Sequence, residues 1–81
     1  LFMYQFEQVH PTFFSQLKER FPSITHHDLR PCAYLKSGMD NKEIARISNI
    51  TNDGVKKSIN RLKKKMELGL EEDLRAFLIT Y

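Results

Sequence analysis

The chain has 81 residues, which allows one small domain and leaves little room for a catalytic cleft. Hydrophobic residues make up 41% and charged residues 28%, which excludes wholesale disorder, and a single cysteine excludes an internal disulfide. The net charge of +3 is uneven: residues 51–66 carry +5, residues 67–81 carry −3 and residues 1–50 carry +1, a distribution typical of a protein with a polyanionic partner.

No apolar run is long enough to span a membrane, and the N-terminal stretch lacks the features of a signal peptide. We therefore expect a cytoplasmic domain that is not membrane-inserted, although missing upstream segments can anchor the parent protein. Because the chain begins with leucine rather than methionine, we expect it to be a fragment of a longer protein.

Apolar residues at steps of three and four predict two helices at the N-terminal end, formed around Phe2, Phe6, Val9, Phe13, Leu17 and Phe21. Pro11 interrupts the pattern, so the first helix should end near His10 and the second should begin near Pro11. The second should end before the sequence FPS. The first has little of the domain to pack on. We interpret it as the end of an upstream helix and a candidate for pairing with a second copy.

Residues 25–36 predict a third helix, capped by Thr25 with Asp28 three residues later. Pro31 lies beyond the first turn and should bend or loosen this helix. Gly38 is well placed just past its end. Asp40 or Asn41 should then cap a short helix with the sequence NKEIARIS.

The next connection has the sequence NIT, with Ile50 expected to point inward. Thr51 or Asn52 should cap a helix that runs to about Met66, and Gly69 should stop it. Glu71, Glu72 and Asp73 are expected in the first turn of a last helix, where carboxylates favour the positive end of the helix dipole. The apolar side of this helix would consist of Leu70, Leu74, Phe77 and Leu78.

Two helices joined by a turn of three or four residues, the second of them basic, are typical of a helix-turn-helix. The inner stripe of the second helix would be Val55, Ile59 and Leu62. The remaining arc would face the major groove and comprises Asp53, Lys56, Lys57, Asn60, Arg61 and Lys64. Lys63 and Lys65 suit phosphate contacts, and Gly54 would allow the backbone a close approach to DNA.

The stretch NKEIARISNITNDGVKKSINRLKKKMEL resembles the DNA-binding domain of LuxR-type (GerE-type) transcription regulators, with the resemblance running from about Ile24 to Leu70. The stretches VHPTFFSQLKERFPSIT and LRPCAYLKSGMDNKEIA resemble one subgroup more closely, in which the domain ends large sensor or two-component-like regulators.

The resemblance implies that Lys56 contacts DNA, and that Lys42 and the Thr51–Asn52 cap lie near the phosphate backbone. The chain departs from the family at Gly54, where threonine or serine is usual, and at Pro31, where an aliphatic residue is common. Lys57 and Ser58 also replace the usual pattern. These departures concern the DNA sequence that is recognised and the straightness of the first core helix, rather than the class of protein.

Other readings of the same residues are weaker. Lysine-rich helical faces are often merely solvated, and a membrane-surface helix would need bulky aromatic residues opposite its charges. His26 and His27 are adjacent and complete no recognised metal spacing with Asp28 or Cys32, so we expect surface histidines, a buried structural thiol and no metal or cofactor. We find no convergent polar site and do not expect an enzyme.

We therefore predict an all-α protein, a four-helix LuxR-type helix-turn-helix domain at residues 25–81 with an N-terminal helical extension or linker at residues 1–24. Its predicted function is sequence-specific binding of double-stranded DNA in transcription regulation, as the C-terminal output domain of a larger signalling regulator. We place Lys56, Lys57, Asn60 and Arg61 in the groove. The predicted phosphate contacts are Lys42, Asn52, Lys63, Lys64 and Lys65.

A homodimer on DNA is expected, through Phe77 and Leu78 of the last helix or through the N-terminal helix. The alternative is a protein–protein interaction or dimerisation module of a signalling protein, in which the basic helix is only soluble surface.

Overall fold

The computed structural model describes residues 2–69 and 71–81, and within these ranges the ordered elements are helices. Their bounds are α1 Phe2–Val9, α2 Phe13–Arg20, α3 His26–Lys36, α4 Asn41–Ser48, α5 Asn52–Lys65 and α6 Leu74–Thr80. The all-α prediction is confirmed. Following the predicted division of the chain, we call α3 to α6 the core domain and α1 and α2 the N-terminal extension.

Each helix of the core domain begins at a residue whose side chain accepts a backbone hydrogen bond. Thr25 and Asp28 form a reciprocal capping box at α3, and Asp40 and Glu43 form another at α4. Thr51 caps α5, with its hydroxyl accepting from the Gly54 N–H at 3.0 Å. These caps satisfy N–H groups that have no partner inside the helix, which fixes where each helix starts.

Three helices end in the same way, with one residue in the left-handed conformation and a hydrogen bond that spans the last turn. The left-handed residues are Gly38 after α3, Asn49 after α4 and Glu67 after α5. The spanning bonds run from Met39 N to Tyr34 O, from Ile50 N to Ala45 O and from Leu68 N to Lys63 O. This is the Schellman arrangement, in which glycine is the preferred left-handed residue.

The expected helix stop at Gly69 was therefore wrong, because Glu67 makes the left-handed turn two residues earlier with a φ of 58°. The predicted position of Glu71 and Glu72 was also wrong. Both precede α6, whose N-cap is Asp73, with its carboxylate accepting from Arg75 N and Ala76 N. The predicted apolar role of Leu70 lies outside the described residues.

Helix α3 continues through Pro31 from His26 to Lys36. The proline contributes no N–H to the helix, and the carbonyl one turn earlier belongs to His27, which is an exposed residue. The proline thus interrupts the backbone hydrogen bonding without ending the helix.

The hydrophobic core includes the N-terminal helices. Phe6 is 5% exposed and Phe13 is 4% exposed, and both belong to one cluster of buried residues with Leu17, Leu35 and Leu62. The ring of Phe2 lies 5.1 Å from that of Tyr34 in α3. The expectation that α1 lacks a packing surface was therefore wrong, since α1 packs on α3 of the same chain.

Candidate nucleic-acid interface

The turn between α4 and α5 holds two packed helices close together in sequence and in space. Helix α4 ends at Ser48 and α5 begins at Asn52, leaving three residues between them. Asn49 reverses the chain with a φ of 56°, and α4 packs directly on α5. Asparagine tolerates the left-handed conformation better than most side chains, so this short turn needs no glycine.

Ile50 in this turn is 44% exposed, and the expectation that it points inward was therefore wrong. Part of its side chain nevertheless lies against the start of α5, because a Cβ built on Gly54 would be 3.5 Å from Ile50 Cδ1.

Helix α5 has a buried stripe and an exposed basic face, as its sequence predicts. Val55, Leu62 and Met66 are at most 3% exposed, and Ile59 packs against the core while remaining partly exposed. The residues of the predicted outer arc are all exposed, namely Asp53, Lys56, Lys57, Asn60, Arg61 and Lys64. A rigid helix therefore carries cationic and amide donors on one side and is held in the domain by the other.

The N-terminal end of this surface is formed by α4 and the start of α5. Lys42 and Asn52 are exposed, as expected for residues that can reach a phosphate. Gly54 is half-buried and lies between the Thr51 hydroxyl and the Ile50 side chain.

The C-terminal end of α5 is tied to α3 by a buried carboxylate. Asp28 is only 2% exposed, and its Oδ2 accepts from Lys65 Nζ at 2.5 Å and from the Thr25 N–H at 2.9 Å. Arg61 approaches the other carboxylate oxygen at 3.9 Å and is 60% exposed. Burial raises the pKa of Asp28, but the hydrogen bonds from Lys65 and Thr25 outweigh this effect and hold the pKa below its ordinary value.

Lys65, one of the predicted phosphate ligands, takes part in this contact. Its side chain is 28% exposed, and its ammonium group is already paired with Asp28. Lys63 is partly buried and Lys64 is exposed. The role of Asp28 was missed because the sequence shows the capping position three residues after Thr25, but not the approach of α5 from 37 residues away.

The observation that identifies the domain is a match of its sequence to a protein-family model. Residues 29–74, from α3 to the start of α6, match the GerE family model, which describes bacterial regulatory proteins of the luxR family. The chain belongs to the luxR family. Searches of curated proteins and of solved structures found no match.

Membership of the luxR family confirms the helix-turn-helix prediction and makes this a DNA-binding domain of a transcription regulator. Helices α4 and α5 occupy the positions of the first and second helices of a helix-turn-helix, the motif in which the second helix reads the major groove. Among the described residues, none of the helices is long and apolar enough to cross a membrane.

The predicted dimer contact needs a correction within this luxR-family fold. Leu78 is completely buried in the core of its own chain, and Phe77 packs partly against that core. The carbonyls of Leu78 and Ile79 also accept hydrogen bonds from Lys36 Nζ. Ile79, at 48% exposed, is the apolar residue that α6 presents outward.

The two histidines and the cysteine that were considered as metal ligands lie in ordinary structural positions. His26 and His27 are exposed on the first turn of α3. Burial raises the pKa of the Cys32 thiol to about 12, with a smaller contribution from the charge of Asp28, so this thiol is protonated at neutral pH. The prediction of a buried structural thiol is confirmed.

Proposed function

We propose that the chain binds double-stranded DNA in a sequence-specific manner, with α5 lying in the major groove. The observation that supports this most directly is the exposure of every polar residue on the outer face of α5, together with complete burial of Leu62 on its inner face. A helix anchored in this way presents donors in fixed positions, which base recognition requires.

Lys56, Lys57, Asn60 and Arg61 are assigned to base edges. They occupy successive turns of one helical face, because residues four apart in a helix lie one above the other. Lysine and arginine donate to the acceptors of guanine, and asparagine pairs with adenine. Asp53 at the first turn can accept from the amino group of cytosine, and half-buried Gly54 brings the backbone close to the groove.

Lys42, Asn52, Lys63 and Lys64 are assigned to phosphates. Helix α5 has 14 residues and is about 21 Å long, whereas the major groove is about 12 Å wide, so a helix that crosses the groove would bring its two ends to opposite strands. Lys42 and Asn52 suit one strand, and the C-terminal lysines suit the other. Lys65 is omitted from the set because its pairing with Asp28 would have to be broken first.

The wider context is also part of the proposal. We place the domain at the C-terminal end of a larger signalling regulator of the sensor or two-component type, because the N-terminal stretches resemble that subgroup. It would act in the cytoplasm, as a homodimer on paired half-sites. The exposed face of α6 around Ala76 and Ile79 is the proposed dimer contact.

Lys56→Glu tests the assignment of the recognition helix. Lys56 is exposed, so this variant should keep the thermal unfolding midpoint of the parent while binding labelled duplex DNA much more weakly at low salt. Lys18→Glu makes the same charge change on the exposed face of α2 and is the matched control.

Equal affinities for these two variants would refute the role of α5. Absence of duplex binding by the parent chain at low salt would favour the alternative function, a protein-interaction module, because the fold would then have no nucleic-acid ligand.

A further inference from the structure

An open groove of about 470 Å³ lies between the α2–α3 connection and the C-terminal end of α5. Arg20 and Ser23 line one side, and Lys64, Lys65 and Glu67 line the other. The first side belongs to the N-terminal extension and lies outside the part of the chain that matches the luxR family.

The guanidinium of Arg20 is held over aromatic rings. Its central carbon lies 5.3 Å from the ring centroid of Phe21, 5.4 Å from that of Phe77 and 5.7 Å from that of Tyr81. Tyr81 is itself fixed, because its hydroxyl donates to the Gln16 carbonyl at 3.1 Å. Rings at these distances stabilise the cation and restrict its conformations.

These contacts leave the donors of Arg20 available. Among residues 2–69 and 71–81, no hydrogen bond or ion pair involves the Arg20 side chain, which is exposed. A guanidinium that lies over aromatic rings can still present N–H groups along its edge, the geometry that binds a phosphate through two hydrogen bonds. Arg20 is therefore a preorganised donor rather than a freely moving surface charge.

The side chains that line the groove give it a small net positive charge, which suits an anion. The ammonium of Lys65 is neutralised by Asp28, so the available cations are Arg20 and Lys64, opposed by the carboxylate of Glu67. Lys64 also belongs to the exposed face of α5, which makes the groove continuous with the proposed DNA surface.

We propose that this groove receives the sugar–phosphate backbone of DNA at the C-terminal end of α5, with Arg20 as a phosphate ligand supplied by the extension. The inference rests on the proposed function, because it requires α5 to occupy the major groove. If α5 crosses the groove, its C-terminal end lies beside the DNA backbone, and the α2–α3 connection that lines the same groove as Lys64 lies there with it. The extension is thus part of the DNA interface.

The test measures binding of the 81-residue chain to a fluorescein-labelled duplex pool of mixed sequence by anisotropy, across a series of salt concentrations. Arg20→Gln should weaken binding and reduce the slope of log K against log salt by about 0.9, the value for one phosphate contact. Lys18→Gln, the matched control on the same helix, should leave the slope at the parent value. Thermal unfolding of each variant reports whether the fold is kept.

A second variant avoids any loss of the aromatic packing. Glu67→Gln removes the carboxylate from the groove without changing the size of the side chain, and it should strengthen binding at low salt. Glu71→Gln removes an exposed carboxylate that does not line the groove and should have a smaller effect.

The outcomes separate the two proposals. The groove is not a DNA contact if Arg20→Gln binds DNA like Lys18→Gln, with the same salt dependence, and Glu67→Gln binds like Glu71→Gln. If Lys56→Glu abolishes binding in the same experiments, the proposed function nevertheless stands. If Arg20→Gln unfolds the chain, the Glu67→Gln pair decides alone. If the parent chain binds no duplex, both proposals fail.

Discussion

Replacing Asp28 with alanine should destabilise the domain far more than its place in a capping box alone would predict. The change removes the acceptor of the Thr25 N–H and leaves Lys65 without its partner. Loss of a capping interaction costs about 0.5–2 kcal/mol. Breaking a fully buried ion pair costs about 3–5 kcal/mol, but Lys65 is 28% exposed and regains water when unpaired, so the lower part of that range applies.

These contributions overlap, because the same carboxylate oxygen makes both contacts. We therefore expect Asp28→Ala to lower the free energy of unfolding by about 3 kcal/mol. A chain of this length has a total stability of roughly 4–12 kcal/mol, so the variant should remain folded only with a much reduced margin. The thermal midpoint should fall by roughly 12–24 °C.

Glu43→Ala is the matched control, since Glu43 occupies the same position in the capping box of α4 but is exposed and has no ion pair among the described residues. Its expected cost is about 1 kcal/mol or less. Urea titration followed by circular dichroism at the helical minimum would measure both variants. Equal losses of free energy for Asp28→Ala and Glu43→Ala would refute the conclusion that the buried contact with Lys65 holds α5 on α3.

Three further predictions follow from other parts of the fold. Glu67→Gly should raise the free energy of unfolding by about 1 kcal/mol, because glycine adopts the left-handed φ of 58° without the steric cost that a Cβ incurs. An unchanged midpoint of urea unfolding would contradict this prediction. Gly54→Ala should also stabilise the chain by about 0.5–1 kcal/mol, because alanine favours helix and the new Cβ would lie no closer than 3.4 Å to its neighbours. A loss of duplex affinity in this stabilised variant would indicate close approach of DNA to the backbone at Gly54. The pKa of Asp28 is lower in the folded state than in the unfolded state, so its contribution to stability is complete above the unfolded pKa near 4 and is lost as the pH falls through the folded pKa. The free energy of unfolding of Asp28→Asn should therefore depend less steeply on pH below 4 than that of the parent. Parallel plots of this free energy against pH for the two proteins would contradict the assignment.

Local signals in the sequence predicted most of the helices. The spacing of apolar residues located α5, and the capping residue types placed the starts of three helices to within one residue, because capping depends only on neighbours within one turn. Of the alternatives left open, Asp40 rather than Asn41 caps α4, and Thr51 rather than Asn52 caps α5. The left-handed residue Gly38 was found for the same reason. Glu67 was not, because nothing in its side chain favours that conformation; its neighbours Met66 and Leu68 are both packed on the core.

Contacts between residues far apart in the sequence could not be predicted. Exposure of the α5 face followed from helical periodicity, but the pairing of Lys65 with Asp28 depends on how α3 and α5 pack. Burial of Leu78 likewise depends on the contact between α6 and α3, so a residue that looked available for a dimer is in fact part of the core. Periodicity identifies the apolar side of a helix but does not identify the element against which that side packs.

The hydrogen bond from the Tyr81 hydroxyl to the Gln16 carbonyl joins residues 65 positions apart. Together with the ring contacts of Tyr81 with Phe13 and of Phe77 with Phe21, it connects the extension directly to α6. Local unfolding of α2 would thus remove partners from α6, and the reverse holds as well. We expect the extension and the core domain to open as one cooperative unit, with amide protons of α2 and α6 exchanging at similar rates.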